Sequence, residues 1–271
     1  MLLIASIYWN MNPEIFSLGS IHVRWYGLLF ALGFIVGFQI MAKIFQTEGK
    51  SQKDLEALTI YMIIGTVVGA RLGHCLFYEP GFYLSNPIEI LKIWNGGLAS
   101  HGAAIGILIA LYFYTKSRPR ISYLWILDRV VIVVALAGCF IRMGNFFNSE
   151  ILGKASNLPW AIIFARVDQV PRHPAQLYES LIYCAIAIYL ILRYFRQKSE
   201  VPKGVLFGIF LVTVFSARFL IEFIKENQAS FESALALNMG QILSIPFIIL
   251  GVYFILRSKS GGISKAEPQS K

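Results

Sequence analysis

Residues 138 to 153 read Gly-Cys-Phe-Ile-Arg-Met-Gly-Asn-Phe-Phe-Asn-Ser-Glu-Ile-Leu-Gly, and an apolar run from Leu124 to Phe140 leads into them. If that run is a membrane helix, Arg142 sits at or just inside its end. Arg142 and Asn145 are three residues apart and share a helix face. Asn148 and Glu150 follow, and Gly153 can end the segment at a turn. A guanidinium, two amides and a carboxylate are costly at membrane depth, where such groups usually mark a site. Arg142 alone would read as an interfacial anchor with its stem along apolar surface. The cluster as a whole reads as a site.

Two further arginines belong to the same class. Arg71 lies late in an apolar segment, and Arg218 is followed at i+4 by Glu222, so that pair shares a helix face and points toward a bundle interior. A guanidinium binds phosphate through two parallel hydrogen bonds and keeps its charge. Arg71, Arg142 and Arg218 together therefore suit a phospholipid headgroup. Asn145 and Asn148 can bond glycerol hydroxyls or phosphate oxygens, and Glu150 and Glu222 can orient arginines or accept from hydroxyls. His101 stands in a glycine-rich stretch, Asn95 to Gly106, where the backbone can approach a ligand and an imidazole can accept a proton. On residues alone a hydrogen-bonded interfacial His is the preferred reading. Cys75, Cys139 and Cys184 have no metal or redox spacing and read as small buried hydrophobes. No metal and no cofactor is expected. No Gly-x-Ser-x-Gly elbow or Cys-His pair supplies an internal nucleophile.

The elements that must position these groups are membrane helices. Of 271 residues, 56% are hydrophobic and 14% charged, which fits one all-α integral membrane domain spanning residues 1 to 271. The 24 Lys and Arg outnumber 15 Asp and Glu. No basic run suggests nucleic acid, so the bilayer is the expected partner. Seven segments approach spanning length: Val23–Ala42, Leu55–Phe77, Leu98–Thr115, Leu124–Arg142, Gln176–Phe195, Gly204–Phe223 and Ala236–Leu256. The third is short and Gly-rich. Residues 1 to 20 read as part of the mature protein, lying at the interface, because Met1 to Ile7 has no basic lead and is too short for a signal core.

Lys and Arg concentrate in alternate loops, at Lys43, Lys50 and Lys53, at Lys116, Arg118 and Arg120, at Arg193, Arg196, Lys198 and Lys203, and from Arg257 onward. Those loops are expected in the cytoplasm, with the amino terminus outside and the tail 258–271 inside. Spans two, four and six then run outward. At about 1.5 Å per residue, Arg71 stands roughly 27 Å above Lys53, Arg218 roughly 22 Å above Lys203 and Arg142 roughly 33 Å above Arg120. Against a hydrocarbon core about 30 Å thick, all three reach its outer half or boundary. Tyr26, His101 and Tyr178 open the inward spans at the same level. Arg129, near the cytoplasmic start of the fourth span, is expected to tolerate Lys. Outer loops 78–100 and 149–175 are long and proline-bearing, and form a small cap in which Trp160 to Phe164 reads as a short strand.

Residues 142 to 153 resemble the signature of the prolipoprotein diacylglyceryl transferase family. Arg24-Trp25-Tyr26-Gly27, Gly69-Ala70-Arg71-Leu72, Gly96-Gly97 to His101-Gly102, Arg172 to Glu179, Arg218 to Glu222 and Met239-Gly240-Gln241 match in the same order. Three positions depart from the family pattern: Ile141 and Ala103 replace glycines, and Val214 replaces a tyrosine whose hydroxyl Tyr183 or Tyr26 would have to supply. The resemblance implies a bacterial inner-membrane enzyme with its site near the outer leaflet. Such an enzyme moves the diacylglyceryl group of phosphatidylglycerol to the lipobox cysteine thiol of a prolipoprotein signal peptide. It forms a thioether and releases glycerol phosphate. His101, Arg142 and Arg218 would be catalytic. Tyr26, Arg71, Asn145, Asn148, Glu150, Gly153, Tyr178 and Glu222 would bind substrate.

The competing reading is a transporter of an anionic metabolite. No repeat links the two halves of the chain, and the polar residues gather near the outer surface rather than the midplane. The charge asymmetry makes a direct prediction. A reporter fused after Lys259 is expected in the cytoplasm and a tag at Asn157 outside. A cytoplasmic tag at Asn157 would overturn the shared depth of the three arginines.

Overall fold

The computed structural model describes residues 7–19, 21–226 and 235–261, without the side chains of Ile21, Asn95 and residues 259–261. Residues 1–6, and the tail from 262, lie outside them. The main elements are β1 (Ile7–Trp9), β2 (Glu14–Leu18), β3 (Ile21–Arg24), α1 (Trp25–Thr47), α2 (Gln52–Phe77), α3 (Pro80–Ser85), α4 (Ser100–Lys116), α5 (Tyr123–Asn148), β4 (Ile162–Phe164), β5 (Pro171–Arg172), α6 (Ala175–Gln197), α7 (Val205–Ile221) and α8 (Met239–Gly261). Among the described residues six helices are long and apolar enough to cross a membrane, which makes this a multi-pass membrane protein. The expected third span, α4, has only 17 residues. At about 1.5 Å each it reaches roughly 25 Å, at the lower limit of spanning length.

Several element boundaries differ from the expected ones. Val23 and Arg24 belong to β3, so α1 starts at Trp25. The fourth span continues past Arg142 to Asn148, so Asn148 lies on the helix together with Asn145. The expected strand at 160 to 164 begins at Ile162. Strands β1 to β3 had no sequence-level counterpart, because they lie in a segment read as interfacial.

The contacts divide the chain into two compact units, residues 1–40 with 128–271, and residues 41–127. In the first, β1 runs parallel to β4, and β4 pairs antiparallel with β5. This small sheet closes over Phe146, Ile162 and Phe164, with Trp9, Met143, Leu152 and Leu177 packed against them. Strands β2 and β3 form a separate antiparallel hairpin. Asp128 of α5, fully buried, caps the start of α7 by accepting from the backbone N–H of Gly204 (2.6 Å) and Phe207 (2.9 Å). Arg129 corrects an expectation. It is 1% exposed, stands 3.8 Å from Asp128 and lies over the Tyr194 ring. A Lys there would lose a buried planar contact, so Arg129 is no neutral position.

In the second unit α2 and α4 cross at their glycines. A Cβ on Gly69 would stand 2.5 Å from the Gly102 carbonyl oxygen, and one on Gly102 2.3 Å from that of Gly69. Close backbone approach of this kind holds membrane helices together where lipid removes the hydrophobic drive. At the other end of α2, Ser51 caps Asp54 and Arg118 meets Asp54 at 2.8 Å. Gly102→Ala is expected to cost about 1–3 kcal/mol through overpacking. The unfolding midpoint in detergent should fall, whereas Gly81→Ala, with no atom within 4 Å of its added carbon, should leave it unchanged.

Candidate active site

The centre of the first unit is a chain of alternating charges. Arg142 of α5 places Nε 2.9 Å from Oε2 of Glu179 on α6. This is an ion pair without an aligned hydrogen bond, since Oε2 accepts none. Oε1 of Glu179 lies 3.9 Å from Lys225 Nζ, which donates to Glu222 Oε1 at 2.7 Å. Glu222 Oε1 in turn faces Arg218 Nε at 3.7 Å. Glu179, Lys225 and Glu222 are 0%, 1% and 6% exposed, so none could keep its charge there without the others. The side chain of Arg218 is one-third exposed and, among the described residues, makes this one ion pair.

Amides, a tyrosine hydroxyl and the Glu150 carboxylate hold the ends. Arg142 Nη1 donates to Asn145 Oδ1 at 3.2 Å, and the Asn145 and Asn148 amides donate to Glu150 at 3.0 and 3.1 Å. Gln176, fully buried, donates to the Glu150 carbonyl. The Tyr183 hydroxyl donates to Glu179 Oε1 at 3.5 Å and lies within the electrostatic reach of Arg142 and Arg218. Asn238 donates to the second oxygen of Glu222 at 3.2 Å. Gly240 is needed there, because a Cβ would meet the Glu222 carboxyl at 2.5 Å. Gly153 does not line the charge chain. It forms a bridge with Lys225, and the flanking bonds from Lys154 N to Ile224 O and from Glu226 N to Leu152 O stitch the cap to the segment carrying Glu222 and Lys225.

The cap carries its own ion pairs. Arg172 bonds Asp168 at 2.5 Å and also Glu226. The Arg172 hydrogen bond, aided by the Val170 backbone N–H, holds the Asp168 carboxyl below the usual aspartate range. His22 does the same for Glu14 on β2.

A family model for prolipoprotein diacylglyceryl transferase matches residues 13–257. The chain belongs to the prolipoprotein diacylglyceryl transferase family. A phosphatidylglycerol–prolipoprotein diacylglyceryl transferase of Chloroherpeton thalassium is 53% identical over 252 residues, 93% of this chain and 94% of that protein. The proteins of the same name in Tolumonas auensis and Bacteroides fragilis are 49% and 42% identical, again over 93% of this chain.

Within this family member the expected site residues separate into groups. Arg142, Asn145, Asn148, Glu150, Arg218 and Glu222 join one network. Tyr26 packs on Gly144, where a Cβ would meet its ring at 2.7 Å, and Tyr178 accepts from Trp160 Nε1 at 2.7 Å. Arg71 and His101 belong to the second unit. His101, exposed in the first turn of α4, has the rings of Phe77 and Tyr78 at 5.7 Å. Arg71 departs from the headgroup expectation. It is 3% exposed, stacks on Tyr83, and donates to the carbonyls of Glu89, Ile90, Gly96 and Gly97. Its Nε–Nη2 edge is taken by Ile90 and Glu89, so that fork is not free for a phosphate. Gly96 and Gly97, at φ 84 and 70, let the loop turn its carbonyls onto the guanidinium.

Glu179, Lys225, Gln176 and Asn238 were missed. The signal for Glu179 was available, since a carboxylate one turn into an apolar span demands a partner. Lys225 stands at i+3 from Glu222, the spacing of a helical ion pair. Glu179→Ala strands two cations and is expected to destabilise the protein by about 3–5 kcal/mol. Glu179→Gln should cost less. Unfolding midpoints of the purified variants check this, and equal midpoints for wild type and Glu179→Ala would contradict the buried chain.

Proposed function

We propose that this protein transfers the diacylglyceryl group of phosphatidylglycerol to the thiol of a prolipoprotein lipobox cysteine. The sulfur attacks the glyceryl carbon that bears the phosphate. A C–S bond forms, the C–O bond to phosphate breaks, and glycerol phosphate leaves with the bonding pair. Arg142 and Arg218 hold the phosphodiester and neutralise the charge that develops on it. The thiol proton goes to His101, an assignment carried by the family resemblance.

The observation that supports this most is the difference in commitment along the charge chain. Arg142 is held by the Glu179 carboxylate and by the Asn145 amide oxygen, and it keeps further N–H groups for a ligand. Arg218, with one long ion pair and partial exposure, keeps most of its donors free of partners among the described residues. Tyr183, between the two arginines, fills the role of the hydroxyl absent at Val214. Asn145, Asn148 and Glu150 contact the headgroup hydroxyls, with Tyr26 and Tyr178 alongside, and Gly153 shapes the cap. Arg71 orders the 78–99 loop and holds no phosphate directly. The site works at the outer leaflet of the bacterial inner membrane, where the signal peptide presents its cysteine.

Membranes carrying the protein should move label from the diacylglyceryl part of phosphatidylglycerol to a lipobox peptide, and not to a peptide with Ser in place of Cys. Label on neither peptide would sink the reading. Arg142→Lys and Arg218→Lys keep the charge but lose the planar fork. Each is expected to lower turnover on the order of a hundredfold, about 3 kcal/mol, while the protein still accumulates. Arg120→Lys, at an exposed cytoplasmic-side arginine, should leave turnover unchanged. Near-normal transfer by Arg142→Lys would remove the fork from the mechanism.

A further inference from the structure

One polar cavity lies beyond the charge chain in the first unit. It has a volume of about 280 Å³ and is lined by Asn12, Glu14, Arg24, Asn148, Glu150 and Arg166. Both carboxylates in its wall already have donors. Glu14 faces His22 Nδ1 at 3.1 Å, and Glu150 receives the amides of Asn145 and Asn148. The two arginines are exposed and far less committed. Arg24 is drawn only electrostatically toward Glu14, and Arg166 makes no ion pair or side-chain hydrogen bond among the described residues. Asn148 Oδ1 is buried and accepts no hydrogen bond. Buried polar atoms are rarely left this way, and such an orphan asks for a donor from a ligand.

The unspent groups are thus two guanidinium forks and one buried amide oxygen, beside two carboxylates with lone pairs to spare. That set recognises a small molecule with an anionic end and a hydroxyl-bearing end. The forks take phosphate, and the amide oxygen and carboxylates take hydroxyl hydrogens. The cavity is smaller than a drug-sized pocket and polar, so it suits a short polyol phosphate and rejects acyl chains. It also shares two residues with the candidate site. Asn148 and Glu150 line the cavity, and Glu150 connects through Asn145 to Arg142.

We propose that this cavity binds the glycerol phosphate group, with Arg24 and Arg166 on the phosphate and Asn148 on a glycerol hydroxyl. The assignment rests on the transferase reading, which releases that group next to Asn145. The pocket receives it either as the free product, after it leaves Arg142 and Arg218, or as the lipid headgroup before it moves to them for transfer.

Equilibrium dialysis of the full-length purified protein against labelled glycerol phosphate tests this, with glycerol and inorganic phosphate as competitors. Wild type should bind glycerol phosphate. Arg24→Gln and Arg166→Gln should each weaken binding about tenfold, the loss of one charge-assisted contact, and the double variant should bind no measurable ligand. Arg24→Lys and Arg166→Lys should recover part of the affinity, which separates lost contact from lost fold. In the transfer assay the Gln variants should raise the inhibition constant of glycerol phosphate by the same factor. An unchanged KM for phosphatidylglycerol then marks the pocket as a product site, and a KM that rises in step marks it as a headgroup site. Undiminished binding in the double Gln variant overturns the assignment. Wild type that binds glycerol phosphate without transferring label would leave the pocket standing and remove the transferase reading, whereas transfer without binding would remove the pocket alone.

Discussion

Glu179 sits at 0% exposure in an apolar helix, within reach of two cations from two other segments. Much of the first unit's local design follows from that constraint. A lone carboxylate there would cost several kcal/mol, and so would a lone Lys225. Together with Arg142, Glu222 and Arg218 they form a chain in which every buried charge has an opposite neighbour. Its physical effect is orientation. Arg142 and Arg218 each meet a buried carboxylate at Nε.

The same logic accounts for the small residues around the chain. Gly240 leaves space for the Glu222 carboxyl, and Gly144 lets Tyr26 approach α5. The cap is tied by backbone bonds to residues 224 to 226, so its strands and the charged segment form one support. Arg71 follows the rule in its own unit, where backbone carbonyls rather than carboxylates satisfy a buried guanidinium.

What could be read beforehand followed from strong signals. Long apolar spans gave the helices, and Arg218 with Glu222 at i+4 gave a real contact. Arg142 with Asn145 did the same through local spacing. What escaped needed long-range partners. Sequence spacing places Glu179 on a helix but does not say that Arg142, 37 residues earlier, faces it. Arg71 looked like the other arginines because type and depth alone do not reveal a ring of carbonyls. Strands β1 to β3 are too short and too mixed in polarity to stand out, and β1 depends on pairing with β4 far along the chain. Arg129 failed as a neutral position because the buried Asp128 cap and the Tyr194 ring lie on segments remote in sequence.

The central claim is that Glu179 acts through Arg142, by holding its fork toward the phosphate. A double-mutant cycle on transfer rates tests it directly, using Glu179→Gln, Arg142→Lys and the pair together. If the claim holds, Glu179→Gln lowers turnover in the wild-type background and adds almost nothing once Arg142 is Lys. Losses that simply multiply in the double variant would show that the two residues act independently, and would contradict the orienting role of the buried charge chain.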